Sequence, residues 1–234
     1  MRVRVLKNEK NKGVCFTRNR LISEAKGKYI WFVDPDDLIY PNVATSFLKA
    51  AREYRADVVL GNYIRFKEVK ELKLFKIANF RFHIQKYEFL PCDKENNKMC
   101  AVWAGIFSRK FLLDNNLRFH DGMIAQEDTL FYYEFALKSP IIVKSDLPCY
   151  LYRQRRNSIM HSRNEERTKK YYESMIIMYE VYKRHLCDYD NEEILKKKIH
   201  HTQQNVAFYL AMLLDHSYVK REMRRLKEAR IYPY

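Results

Sequence analysis

The stretch Tyr29–Asn42, YIWFVDPDDLIYPN, limits the possible folds more than any other part of the chain. Apolar and aromatic residues run from Tyr29 to Val33 without polar alternation, the pattern of a strand covered on both faces. The run stops at Asp34, Asp36 and Asp37, and Pro41 follows. A strand of this kind belongs to an α/β layer structure, where ligands bind at the carboxyl ends of the strands. Carboxylates at such an edge are hard oxygen ligands for Mg²⁺ or Mn²⁺, and one or two of them with a substrate diphosphate make a usual site. The alternative for the same residues is a turn in which Asp36 or Asp37 caps a helix entered at Pro41.

The flanking pattern extends the α/β reading. Met1–Leu6, MRVRVL, alternates as a strand, and a helix is predicted from about Thr17 to Lys26, with Thr17 as N-cap and Gly27 ending it. Pro41 is placed as the first residue of the next helix, followed by Val43, Phe47, Ala50, Ala51 and Tyr54 at helical spacing. Asp57–Phe66 reads as another strand. Strand, helix, strand, helix, strand in that order predicts a mostly parallel sheet flanked by helices. Lys67–Met99 has no clear period and reads as a variable excursion. Val102–Ser108 is strand-like, a short helix follows, and Glu127–Lys138 is a helix opened by two acids where the macrodipole favours them. IIV and YLYR are two further short strands. Three helical patterns fill the tail, so residues 1–162 are expected to form the α/β domain and residues 163–234 a helical region.

The formal charge is +15. From Arg163 onward there are fifteen Lys and Arg against eleven Asp and Glu, so most of the excess lies before the tail. Such a charge suits an anionic partner: nucleic acid, an acidic membrane surface or phosphorylated substrates. Nucleic acid is the weaker fit, because the 18 Tyr and 14 Phe come with no RNA-recognition signature, zinc-finger spacing or basic heptad region. Cys15, Cys92, Cys100, Cys149 and Cys187 are widely spaced without a C-x-x-C, which argues for reduced thiols in the cytosol. The first residues are charged throughout, so no secretory signal is expected. The apolar run Val206–Leu214 is too short to span a bilayer.

An apolar strand ending in Asp-x-Asp also occurs in haloacid-dehalogenase-type phosphatases, whose first Asp attacks phosphate. Leu38 stands where that pattern wants a small β-branched residue, and Glu127-Asp128 opens a helix instead of following a strand. The whole constellation points elsewhere. Asn11-x-Gly13, Arg18-Asn19, Ala25-x-Gly27-x-Tyr29-Ile30-x-Phe32-x-Asp34-x-Asp36-Asp37 and Pro41 together resemble the family 2 glycosyltransferases of the GT-A fold. VWAGIFSRKFLLDNNLRF, EDTLFYYEFAL and YLYRQRRNSIMHS resemble the acceptor half of bacterial members, and the likeness covers roughly residues 3–162.

The resemblance implies transfer of a sugar from a nucleotide-diphosphate sugar, a UDP-sugar foremost, to a glycan or lipid-linked acceptor. Transfer would invert the anomeric carbon in one displacement and depend on Mn²⁺ or Mg²⁺. It implies Asp36 and Asp37 as donor and metal contacts, Asp34 as their helper, and Arg18, Arg153 and Arg155 near the donor. His161 becomes a further metal ligand, Trp103 a stacking surface for the acceptor, and the pair Glu127 and Asp128 the acceptor site, with Asp128 as general base. It also implies a cytoplasmic protein, peripheral to the inner face of a cell membrane. Family members carry strand-helix units ahead of the segment matched by MRVRVL, so the expected domain is an N-terminally truncated one. An inactive remnant or a basic binding protein is therefore the competing expectation.

Overall fold

The computed structural model describes residues 3–69, 82–85, 101–154, 164–185 and 192–231. In chain order the elements are α1 (Gly13–Glu24), β1 (Tyr29–Ile30), β2 (Leu38–Ile39), α2 (Val43–Glu53), β3 (Val58–Phe66), β4 (Phe82–Gln85), β5 (Gly105–Ser108), α3 (Arg109–Asp114), α4 (Glu127–Ala136), β6 (Ile142–Arg153), α5 (Glu165–His185), α6 (Glu192–Ala211) and α7 (His216–Glu228). They divide into two units. One comprises Arg18–Phe119 and Asp128–His161; the other comprises Met1–Thr17, His120–Glu127 and Ser162–Tyr234.

The first unit is built on a sheet ordered β1-β5-β3-β6-β2, with β4 paired to β6. It is mixed, which corrects the expected mostly parallel sheet. Among the described residues only β3 and β6 run parallel; β1–β5, β3–β5, β2–β6 and β4–β6 are antiparallel. The strand–helix order does set β1 and β3 in the same direction, but β5 lies between them and runs against both. Neighbours along the chain are not neighbours in the sheet.

Alternation along the strands gives each face its own core. Val59 and Ile106 join Val43, Phe47, Ala50 and Ala51 of α2, together with Val143, Leu147 and Cys149. On the opposite face the Phe107 ring meets Phe131, Tyr132 and Phe135 of α4, and Phe119 stacks on Phe131 at 4.3 Å. Burying aromatic side chains of this size is a large favourable contribution to folding.

Several expected boundaries move for identifiable reasons. Residues 3–6 form no strand, and Val3 and Val5 are exposed. Helix α1 begins at Gly13, not Thr17: Asn11 Oδ1 accepts the Gly13 N–H at 3.0 Å, while the Thr17 hydroxyl donates back to the Gly13 carbonyl. Pro41 lies before α2, whose N-cap is Asn42 in the left-handed region (φ 61°). IIV and YLYR belong to one strand, β6. The interval between them reads as a break because Pro148 cannot donate to a ladder, and the register shift opposite Asn62 accommodates it.

Gly105 marks the closest backbone approach. A Cβ there would stand 2.2 Å from the Val59 carbonyl oxygen and 2.8 Å from Leu60 Cδ2. A carbonyl within a ladder cannot swing aside as a side-chain tip can. Gly105→Ala is expected to lower unfolding free energy by about 1–3 kcal/mol or more, through overpacking. Urea denaturation followed by circular dichroism measures this.

The second unit is helical in its long segments. Tyr172 of α5 donates to Glu222 of α7 at 2.9 Å, burying a carboxylate that Arg225 also contacts at 3.2 Å. Asp215 N-caps α7 by accepting the N–H groups of Ser217 and Tyr218. Glu165 receives the Leu214 and Asp215 N–H groups, and Ser174 receives that of Ile124.

Candidate functional site

The acidic stretch folds as a turn. Asp37 N–H donates to the Asp34 carbonyl at 3.2 Å, with Pro35 at the second position, where its fixed φ suits a turn. Neither Asp36 nor Asp37 caps α2, because Asn42 occupies that position and makes no side-chain cap bond. β2 then pairs with Tyr150 and Leu151 of β6, fastening the turn to the sheet edge.

Two groups of β6 anchor it further. Tyr150 is fully buried; its hydroxyl accepts the Asp34 N–H at 2.9 Å and bonds the Asp37 carboxylate. Asp37 Oδ1 accepts the Arg153 backbone N–H at 2.7 Å. Asp37 is only 8% exposed, whereas Asp34 and Asp36 keep partial access to solvent. Burial raises the Asp37 pKa, the Arg153 and Tyr150 bonds oppose that, and the charges of Asp36 and Asp34 add to it. Tyr152 is raised by burial and then by Asp37, Asp36 and Asp34, so its phenol lies within the field of the same turn.

A folded carboxyl with a raised pKa binds a proton where the unfolded chain does not, so stability falls as pH rises through that window. Relative to Asp37→Asn, the native chain should lose stability as pH climbs above the ordinary value of 3.8. The difference should level off once Asp37 is ionised in the folded state. Paired urea titrations from pH 3 to 7 read this, and a pH-independent difference would contradict it.

Arg18 is the centre of the second cluster. Its side chain is 9% exposed and meets Asp128 Oδ1 at 2.6 Å and Asp34 Oδ1 at 3.5 Å. The guanidinium also lies over the Phe119 ring, 5.2 Å from its centroid. Asn19 holds that ring's backbone from both sides, donating to the Phe119 carbonyl and accepting its N–H, each at 2.8 Å. Asp128 Oδ2 accepts the Val102 N–H at 3.1 Å. One arginine therefore ties the first acid of the turn to the second residue of α4. Glu127 opens that helix, directly after Gln126 in the left-handed region at φ 60°.

Trp103 follows Val102 in a single 3₁₀ turn, and its carbonyl accepts the Trp31 indole N–H at 2.8 Å. Tyr150 and Tyr152 stack on its ring at 4.4 and 5.6 Å, and Tyr63 meets it edge-on. The ring is half-buried, with much of its surface taken by tyrosines. Arg153 lays its guanidinium over Phe66. Arg155 and His161 lie outside the described residues.

Arg18, Asp34 and Asp128 are thus brought together, with Asp36 and Asp37 on the same turn as Asp34. Tyr150 and Asn19 were missed as positioning residues. The one available signal for Tyr150 was the alternation in CYLYR, which sets it on the same face as Tyr152.

Among the described residues no three His, Cys, Asp or Glu side chains converge to hold a metal ion by themselves. One or two carboxylates completed by a substrate diphosphate and water is, however, an ordinary site for Mg²⁺, and carboxylate oxygens suit Mn²⁺ as well. The acidic turn fits such a cation on those terms.

The glycosyl transferase family 2 model matches residues 1–114 of this chain. The fold is that of the GT-A glycosyltransferases: TarS of S. aureus, solved with UDP-GlcNAc, superposes at a TM-score of 0.61 and 21% identity, over 92% of this chain and 58% of that one. Glycosyltransferase GlyG of Streptococcus pneumoniae is 31% identical, over 69% of this chain and 55% of its own length. The poly(ribitol-phosphate) beta-N-acetylglucosaminyltransferase TarP of Staphylococcus aureus is 26% identical, over 64% and 45% respectively. The chain spans about half the length of these relatives.

Proposed function

We propose that the protein is a glycosyltransferase that moves a sugar from a nucleotide-diphosphate sugar, a UDP-sugar foremost, to a glycan or lipid-linked acceptor. The observation that carries this reading is the Arg18 bridge, which places the acidic turn and Asp128 around one buried cation.

In this reading Asp36 and Asp37 hold a divalent cation, Mn²⁺ or Mg²⁺. When bound, that ion neutralises the donor diphosphate and stabilises it as a leaving group. Asp36 is the more accessible ligand; Asp37, bonded inward to Arg153 and Tyr150, sets the turn's shape. Asp36 and Asp37 also contact the donor ribose with Asp34 as their helper, and Arg153 and Arg155 add positive charge beside the diphosphate. His161 is a further ligand, since imidazole accepts Mn²⁺. Trp103 supports the acceptor side together with Tyr152, and Glu127 shares the binding of the acceptor.

Asp128 is the general base. In the structure its Oδ1 accepts from Arg18 and its Oδ2 from the Val102 N–H, which fix the carboxylate's position. The acceptor oxygen attacks the anomeric carbon and its proton passes to Asp128. The bond from that carbon to the diphosphate oxygen breaks, and nucleoside diphosphate departs from the opposite face with inversion. Arg18 holds the Asp128 carboxylate in place through its 2.6 Å contact.

Support for a UDP-sugar comes from TarS, whose solved complexes contain UDP-GlcNAc and UDP. No helix among the described residues is long and apolar enough to cross a membrane. A chain of +15 charge is expected to meet a lipid-linked acceptor at an anionic cytoplasmic surface.

The test is release of UDP from UDP-GlcNAc, UDP-glucose and UDP-galactose, with Mn²⁺ and with EDTA. Release from one donor, lost in EDTA, is expected. No release from any of them, by protein shown to be folded, contradicts the reading.

A further inference from the structure

We propose that α7, with the turn that leads into it, is the surface by which this protein docks on anionic lipid. The proposal rests on the membrane clause above but not on the donor chemistry.

Helix α7 carries Lys220, Arg221, Arg224, Arg225 and Lys227 against Glu222 and Glu228. All five cations are exposed, whereas Glu222 and Leu226 are buried. At 100° per residue the five fall within an arc of roughly 160°, which also contains Ser217 and Glu228, while His216, Tyr218, Val219, Glu222, Met223 and Leu226 lie outside it. The helix is thus pinned to its unit by one face and presents to solvent a face of five cations interrupted by Ser217 and, near the helix end, Glu228. Arg225 and, at 3.7 Å, Arg221 share the single charge of Glu222, and Arg221 also lies over Tyr218. Glu222 compensates for at most one of the five.

Ahead of the helix, Phe208 in α6 and Met212 and Leu214 in the turn are exposed, whereas Leu210 and Leu213 are buried. Phe208 is 58% exposed and Leu214 77%, with Met212 between them. A polyanion in solution would use the cations alone. Three exposed apolar side chains at the entry to a cationic helix suit a lipid interface, where charge attracts and apolar groups insert. A helix with its own apolar face already packed lies on such a surface without spanning it.

The test is co-sedimentation of the full chain with vesicles of pure phosphatidylcholine and vesicles containing 30% phosphatidylglycerol. Two variants accompany it: K220Q/R221Q/R224Q/K227Q, which spares the Arg225–Glu222 pair, and F208S/L214S. Circular dichroism confirms that each is folded. Binding to the anionic vesicles alone is expected, weakened about tenfold or more in the quadruple variant and also weakened in F208S/L214S. Absence of binding by the native chain overturns the proposal, as does binding that the quadruple variant retains. Equal capture of a single-stranded oligonucleotide, dependent on the four cations but indifferent to F208S/L214S, overturns it in favour of a general polyanion site. Metal-dependent UDP binding measured on the same samples should stay unchanged in both variants. Failure of lipid docking and failure of the glycosyltransferase reading are therefore seen separately.

Discussion

Asp128→Asn should reduce sugar transfer by about 10²–10⁴-fold, the usual worth of a positioned general base, while changing UDP affinity in the presence of Mn²⁺ only a few-fold. The substitution keeps the side chain's shape and an oxygen that can still accept from Arg18. It removes the capacity to take a proton from an acceptor hydroxyl. The expected signature is a fall in kcat with KM for the donor little altered, because the lost interaction exists only as the proton moves. A parallel rise in donor KM with intact kcat would place Asp128 in donor binding instead. Glu127→Gln is the companion variant, expected to affect the acceptor KM more than kcat.

The second large effect concerns stability. Arg18→Met should cost about 2–4 kcal/mol, toward the lower part of the range for breaking a buried ion pair. Asp128, with its side chain 19% exposed, would lose its 2.6 Å partner, and Asp34, at 38%, a weaker one. Methionine replaces the stem and keeps most of the contact with Phe119, so the loss is one of charge pairing more than of packing. Arg18→Met/Asp128→Leu should recover part of the stability, since it no longer strands the Asp128 carboxylate; the Asp34 contact, still lost, and the Val102 N–H, left without its acceptor, limit the gain. A single variant within about 0.5 kcal/mol of the native chain would mean that the pair behaves like a solvated surface bridge.

The local patterns that depend on periodicity were legible in the sequence. α2, β3, α4 and the three C-terminal helices lie close to where apolar spacing places them, but the strand expected over Tyr29–Val33 is only Tyr29–Ile30, and Val33, just before the acids, is exposed because the chain has left the sheet ladder there. What periodicity cannot carry is which strands are neighbours. β5 follows both β1 and β3 in the chain yet lies between them in the sheet, and nothing within a strand's own residues encodes that insertion. The same limit governs the site. Asp34, Asp36, Asp37 and Asp128 were readable from residue type and spacing, helped by the family resemblance. That Asp37 turns inward and Arg18 is buried follows from contacts across 116 and 110 residues of chain. Tyr150 looked like one more aromatic in a strand; only the fold brings its hydroxyl to the acidic turn.

Calorimetric titration of UDP into the full chain, with Mn²⁺ and with EDTA, and again with Asp36→Ala, tests the central claim most directly. Binding that appears with Mn²⁺, disappears with EDTA and is lost in a folded Asp36→Ala is the predicted result. Binding that is indifferent to both the cation and Asp36, or absent from a folded native chain, would contradict the assignment of the acidic turn to a metal-bridged nucleotide diphosphate.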